Sequence, residues 1–315
     1  MDSKQNYPWI DKSTGINPFE SISNHIHPFL YFFRIIIALL KLPIFVICFS
    51  LSFLYFLLAM MIPSSNIKST FIKINSKIFC RIFLLLMGNI SILEIPTPLV
   101  DTFADSGEVR SINPGDIIFT NFGSYLNMFW LQMKYAPYFV IPHDSKSVEV
   151  HSFFIGFLRI LKGFQTNNHP YFTLNEIIEK AKDDQCPIVI FPEGIPTNGT
   201  GILEFIEFDN QVNWENVNFH VFGFKHRSFG LSPNFTSGNG LFHLFSMLGR
   251  SMAGMNVKIA LPQDVPEFNK YNTKEWLSQI RKVMGEIMRI PLLSVNRDAA
   301  EKYYKHINLV KVHND

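Results

Sequence analysis

Charge is scarce in this chain. Asp, Glu, Lys and Arg together supply 17% of its 315 residues, against about 25% in an average globular domain. The 28 basic and 26 acidic residues leave a net charge of +2. So small and evenly spread a charge excludes the basic field that a nucleic-acid partner requires, and 47% hydrophobic residues exclude a disordered chain. Cysteine is equally sparse. Cys48, Cys80 and Cys186 are odd in number and have neither metal-ligand nor redox spacing, which fits a reducing, cytosol-facing environment. No cluster of His, Cys or carboxylates has ligand spacing, so neither a metal nor a tightly bound cofactor is expected. Internal repeats and low-complexity tracts are absent as well. What is abundant is apolar and aromatic: 32 Phe residues and a mean hydropathy of +0.13.

The apolar residues concentrate near the N-terminus. Between residues 29 and 62 the only charges are Arg34 and Lys41, and Leu42 to Ile62 has none. At helical rise that uncharged run is roughly 31 Å long, one hydrocarbon thickness. The preceding Phe29 to Leu40 is short and carries Arg34, so it is expected either in the membrane interface or as the first arm of a re-entrant hairpin turning near Lys41 and Pro43. The run starts too far in and is too long for a cleaved signal peptide, and is expected to be a permanent anchor. Lys4 and Lys12 precede it while Lys68, Lys73, Lys77 and Arg81 follow, an asymmetry that puts the downstream domain in the cytosol. Ile78 to Gly88 is either a buried core helix or a helix dipping into the membrane surface. The expected organisation is a cytosolic or interfacial segment over 1–28, an anchor over 29–88 and an α/β domain over 89–315.

Beyond residue 90, short apolar runs alternate with amphipathic segments, the signature of an α/β fold. Strands are expected at Asp116–Thr120, Tyr138–Ile141, Pro187–Phe191, Phe219–Phe224 and Asn256–Leu261. Helices are expected at about 124–134, 149–162, 173–184 and 273–289, the third opened by a Thr173/Glu176 capping box. Trp276, Ile280, Val283 and Ile287 recur at helical spacing and read as core. Lys225, His226 and Arg227 read as a basic loop after a strand.

The most informative run is Phe191-Pro192-Glu193-Gly194, followed by a polar Gly-rich stretch to Gly201. A strand ending in Pro-Glu-Gly sets one carboxylate at the C-terminal edge of an α/β sheet, where such sheets bind ligands; the alternative is a tight turn with a solvated Glu. This run resembles the third motif of the glycerophospholipid acyltransferase family, whose Glu orients the acceptor's hydroxyls. Thr120 to Asn127 resembles that family's first motif, Asn-His-x-Ser-x-x-Asp, at Asn121 and Ser124. Phe122 stands where the family has its general base, and Asn127 where it has the Asp that orients the base. Among the chain's ten histidines none is followed five residues later by Asp, and His143 beside Asp144 is the one placed to approach the site. Gly156 to Phe164 resembles the helix leading to the second motif, but Gln165 to Asn168 replace the expected basic residue. Ile195 replaces a Thr, and Pro196 stands where many members have Arg. The Trp9-Ile10-Asp11 and Thr14 to Phe19 opening is closest in look to the fungal lysophosphatidic acid:oleoyl-CoA acyltransferase type.

The resemblance implies an N-terminal membrane helix or re-entrant hairpin followed by a glycerol-3-phosphate-acyltransferase-like mixed sheet flanked by helices. It implies transfer of a fatty acyl chain from acyl-CoA, the co-substrate, to a lysophospholipid acceptor, with Asn121, Ser124 and Asn127 forming a degenerate first motif. Glu193, Gly194, Thr197 and Asn198 would then bind the acceptor. The implied location is the endoplasmic reticulum membrane or lipid droplets, with the bilayer as partner. Loss of the His/Asp pair and of both basic residues leaves a second reading open: an acyltransferase-like lipid-binding or scaffold protein without turnover. The N-x-S/T sequences at Asn89, Asn198 and Asn234 are read as chance in a cytosolic domain.

Overall fold

The computed structural model describes residues 7–22, 27–99, 109–162, 171–209, 212–214, 217–227, 230–268 and 272–312. Gln165 to Asn168 and the end of the expected Gly156–Phe164 helix lie outside the described residues.

Helix α1 (Pro28–Met60) runs without interruption through Lys41 and Pro43, so the hairpin does not turn there. Two facts account for the difference. Pro43 removes a single helical donor, and the Lys41 ammonium is met by the carbonyls of Leu86 (2.9 Å) and Arg250 (2.8 Å), so that charge marks a docking point rather than a bend. The turn comes at 61–64, after which α2 (Ser65–Leu86) runs back along the domain. Ala38, Phe45, Ser52 and Ala59 are the buried residues of α1, seven apart, which is a narrow coiled-coil-like seam. Most of the remaining surface of α1 is exposed and apolar, including Leu51, Leu54, Leu57 and Leu58. The Ile78–Gly88 patch is the C-terminal half of α2 with its following turn, and Cys80, Phe83, Leu84 and Met87 are buried in it.

The domain is built on one eight-stranded mixed sheet. In chain order its strands are β1 (Asn89–Thr97), β2 (Ile117–Thr120), β3 (Tyr138–Pro142), β4 (Val148–His151), β5 (Tyr171–Phe172), β6 (Ile188–Ile190), β7 (Phe219–Arg227) and β8 (Ala253–Ala260). The spatial order is β1-β8-β7-β2-β6-β3-β4-β5. The central β7, β2, β6 and β3 are mutually parallel, while β8, β4 and β5 each include an antiparallel pairing. The five expected strands are present. The helix expected from 149 instead begins as strand β4, because Val148 and Val150 alternate with Glu149 and His151, a period of two, and α4 (Phe153–Leu161) starts only afterwards.

One face of the sheet carries α1, α2, α3 (Tyr125–Tyr135), α4 and α6 (Gly240–Leu248) over an aromatic core with Phe129, Trp130, Phe157 and Phe222. The other face carries α5 (Leu174–Asp183) and α7 (Thr273–Met288), with Trp276 and Ile280 fully buried. The expected Thr173 cap is a complete box: Thr173 Oγ1 accepts from Glu176 N, and Glu176 Oε2 accepts from Thr173 N. A third apolar cluster joins both ends of the chain. Trp9 and Phe19 pack with Ile195, Leu203, Leu293 and, from α8 (Arg297–Val312), Ala300 and Tyr303. Asp11 fastens this cluster by accepting from Ser294 N and Oγ at 2.7 Å each.

Candidate active site

The parallel strands β2, β6 and β3 release their C-terminal ends side by side, and the two motif loops leave from the first two. Asn121 continues the ladder past the end of β2: its Oδ1 accepts from Phe224 N (2.8 Å) and its Nδ2 donates to Phe224 O (3.3 Å). Ser124 caps α3, accepting from Leu126 N (3.1 Å) and donating to Pro233 O (2.7 Å). Asn127 is buried in the first turn of that helix. Its Nδ2 donates to Asn121 O at 3.4 Å, and its Oδ1 accepts from His226 Nε2 at 2.8 Å. The expected basic loop is therefore the end of β7, with His226 turned inward. Burial, reinforced by the Arg250 cation, pushes the His226 imidazole down to about 3, so it is neutral near pH 7 and its Nε2 carries the proton it donates.

Phe122, at the position the family gives to the base, is an apolar plate. Its ring stacks on Phe191 with centroids 4.3 Å apart and planes at 20°. Glu193 is fully buried and links the two loops: Oε1 accepts from Phe122 N (3.1 Å) and Oε2 from Leu203 N (3.0 Å). Burial raises its pKa to about 7, against the lowering effect of those amides and of Arg281. Gly194 has φ +67, and a side chain there would run into Ile206, so the turn requires glycine. Thr197 is buried, and its amide donates to Phe122 O at 2.8 Å. Asn198 donates to Asn17 O and Glu20 O at 2.9 Å each, which docks the Asn17-Pro18-Phe19 opening onto the third-motif loop. Ile195, in place of the usual Thr, is buried in the cluster that joins the chain ends.

A small cleft lies between these loops and α4, lined by Phe122, Gly194 and Pro196 together with Ile141, Glu149, Arg159, Ile160 and Arg297. Of the residues singled out in the sequence, Phe122, Gly194 and Pro196 reach this cleft, while Asn121, Ser124, Asn127, Glu193, Thr197 and Asn198 hold the loops from behind. Glu149 is the carboxylate among the lining residues, and its Oε2 lies 3.3 Å from His151 Nε2 and 3.6 Å from Arg159 Nε. Glu149, Arg159 and Arg297 escaped the sequence reading. The first belongs to the strand read as helix, and Arg297 arrives from a C-terminal segment beyond the motifs. The signal that would have found Glu149 is the Val-Glu-Val-His alternation. His143 directly follows β3, but its Nδ1 lies 2.9 Å from Arg297 Nη2, and Asp144 turns away to accept from Lys146 N and Ser147 N. Among the described residues no group of three or more His, Cys, Asp or Glu is placed to hold a metal.

The loop through Pro192-Glu193-Gly194 after β6 and the capped helix after Asn121-x-x-Ser124 are the features in which the chain resembles the lysophospholipid acyltransferases. Over 206 residues it is 28% identical to a Schizosaccharomyces pombe protein named "Putative lysophosphatidic acid:oleoyl-CoA acyltransferase", a match that covers 62% of this chain and 65% of that one. The 1-acyl-sn-glycerophosphate (LPA) acyltransferase PlsC of Thermotoga maritima aligns over 78% of this chain and 95% of its own at 13% identity, with a TM-score of 0.35 that adds no weight. No family model matches the chain.

Proposed function

We propose that this chain is a membrane-associated acyltransferase that moves a fatty acyl group from acyl-CoA to the free hydroxyl of a lysophospholipid such as lysophosphatidic acid. The observation that carries this reading is the cleft in which both motif loops meet a buried carboxylate, Glu149. In this reading the acceptor's oxygen attacks the thioester carbonyl as its proton passes to Glu149. The carbon–oxygen bond forms, the carbon–sulfur bond breaks, and the CoA thiolate leaves to be protonated by water. Arg159 and Arg297 supply positive charge for an anionic headgroup in place of the missing second- and third-motif basic residues. Asn121, Ser124, Asn127, Glu193, Thr197 and Asn198 act by fixing the two loops, and Gly194 by keeping the turn open. Residues 29–88 anchor the chain, with the apolar outer faces of α1 and α2 in the bilayer. The 89–315 domain then faces the cytosol, at the endoplasmic reticulum or lipid droplets, where acyl-CoA is available.

A second reading has its own support. The Phe122–Phe191 stack puts hydrocarbon where acyl transfer ordinarily has its base, as expected of a lipid-binding descendant without turnover. Labelled oleoyl-CoA offered with a panel of lysophospholipids to membranes containing the chain separates the two. The acyltransferase yields labelled diacyl product, at a rate that falls by about 10² or more in the Glu149→Gln variant. No product with any acceptor overturns it in favour of the second reading.

A further inference from the structure

A larger cavity, about 480 Å³, lies at the opposite edge of the sheet, where α3 ends and β3 begins. That volume falls within the roughly 300–1,000 Å³ of sites that hold small molecules. Tyr138 lines it at the start of β3. Ile141, which lines the motif cleft, lies three residues further along that strand, about 10 Å away, and the two sites share no lining residue. Packed aromatics close the space between: Phe153 and Phe154 line the cavity, and Phe129 and Phe157 stack behind Phe153 at 5.1 and 6.4 Å.

Three features define what would fit. Phe56, Met60, Ile72, Phe154 and Ile177 give it apolar walls. Phe56 and Met60 belong to α1, next to the exposed Leu57, Leu58 and Met61, so an alkyl chain passes from the helix's outer face into the cavity along apolar surface. Among the charged lining residues, Lys68 and Lys180 outnumber Asp184, and Asp184 already receives the Lys68 ammonium and the Tyr138 hydroxyl (2.6 Å). Lys180 stands over the Tyr138 ring at 5.4 Å. Finally, Gln132 is 6% exposed and closes the wall: its Nε2 donates to Ser76 Oγ at 2.6 Å, and its Oε1, without a partner among the described residues, is shielded from the cavity.

We infer that this cavity binds one anionic monoacyl phospholipid, with its chain between the helical hairpin and the domain and its phosphate beside Lys180 and Lys68. This is a lipid site in addition to the motif cleft, and it stands independently of the acyl-transfer reading, because its test reads occupancy rather than turnover. The probe is lysophosphatidic acid with a diazirine in its acyl chain, photolysed with the full-length protein in detergent, and the labelled peptides are mapped by mass spectrometry. Saturable labelling is expected at Ile72, Val150 or Ile177, competed at least tenfold better by unlabelled lysophosphatidic acid than by lysophosphatidylcholine. Lys180→Glu should weaken it severalfold, with the labelling of the motif cleft unchanged. Labelling confined to peptides holding Phe122, Ile160 or Pro196 overturns the inference. So does equal competition by the two lysolipids, or labelling that the Lys180→Glu substitution leaves unaltered.

Discussion

At the scale of single residues, the site is a set of polar side chains most of which bond inward. Glu193 illustrates the consequence for stability. With a pKa raised to about 7 in the folded state from 4.5 in the unfolded, it binds a proton more tightly when folded. Its contribution is therefore greatest near and below pH 4.5 and declines as pH rises to about 7, by roughly 3 kcal/mol. His226, lowered to about 3, and His243, lowered to about 4 by burial, act in the opposite sense: their contributions are complete above pH 6.5 and fade as pH falls. The difference between wild type and Glu193→Gln isolates the carboxylate, and melting temperatures across pH 5–8 should fall with rising pH in the wild type relative to the variant. A second expectation concerns the stacked plate. Phe122→His with Asn127→Asp rebuilds the family's pair at a cost of about 0.5–1.5 kcal/mol in lost stacking. With Glu149 as the base the double variant should alter an existing rate, whereas a chain without turnover should gain one from zero.

At the scale of elements, the positions of five strands and the Thr173 cap were legible because they depend on local rules. The β2, β3, β6, β7 and β8 runs are bounded by Pro, Gly, Asn or Asp, and Thr173 with Glu176 forms its box within a single turn. Long-range partners were not legible. Lys41 reads as a helix-breaking charge until the carbonyls of Leu86 and Arg250 are known, the latter 209 residues away. Glu149 reads as a helical surface charge until β4 is paired antiparallel with β3, which sets it opposite Ile141 at the cleft. Phe19 and Ile195 acquire a purpose only when the two ends of the chain meet. The Lys41 contact has a measurable weight. Hydrogen bonds from a charged group contribute about 1.5–3 kcal/mol, so Lys41→Met should loosen the first half of α1, seen as faster amide exchange in residues 34–45 with exchange in β2 and β6 unchanged.

At the scale of the whole molecule, the helical hairpin lies along the domain rather than projecting from it, held by the α1 seam and the contacts of α2 with α3. Among the described residues α1 is the helix long and apolar enough to cross a membrane, and its outer face is what a lipid phase would cover. Leu54→Glu with Leu58→Glu, both on that face, should move the protein from the membrane fraction toward the soluble fraction without lowering its melting temperature. The parallel strand ends and the hairpin put an exposed apolar surface and a cleft lined by one carboxylate and two arginines on one body, the arrangement that the proposed transfer from a water-soluble thioester to a membrane-borne acceptor would use. The most direct measurement is the rate of oleoyl transfer from oleoyl-CoA to lysophosphatidic acid as a function of pH, for the wild type beside Glu149→Gln. Catalysis by Glu149 predicts a variant slower by about 10² or more than the wild type at every pH tested. A variant that matches the wild type in both rate and profile would contradict it.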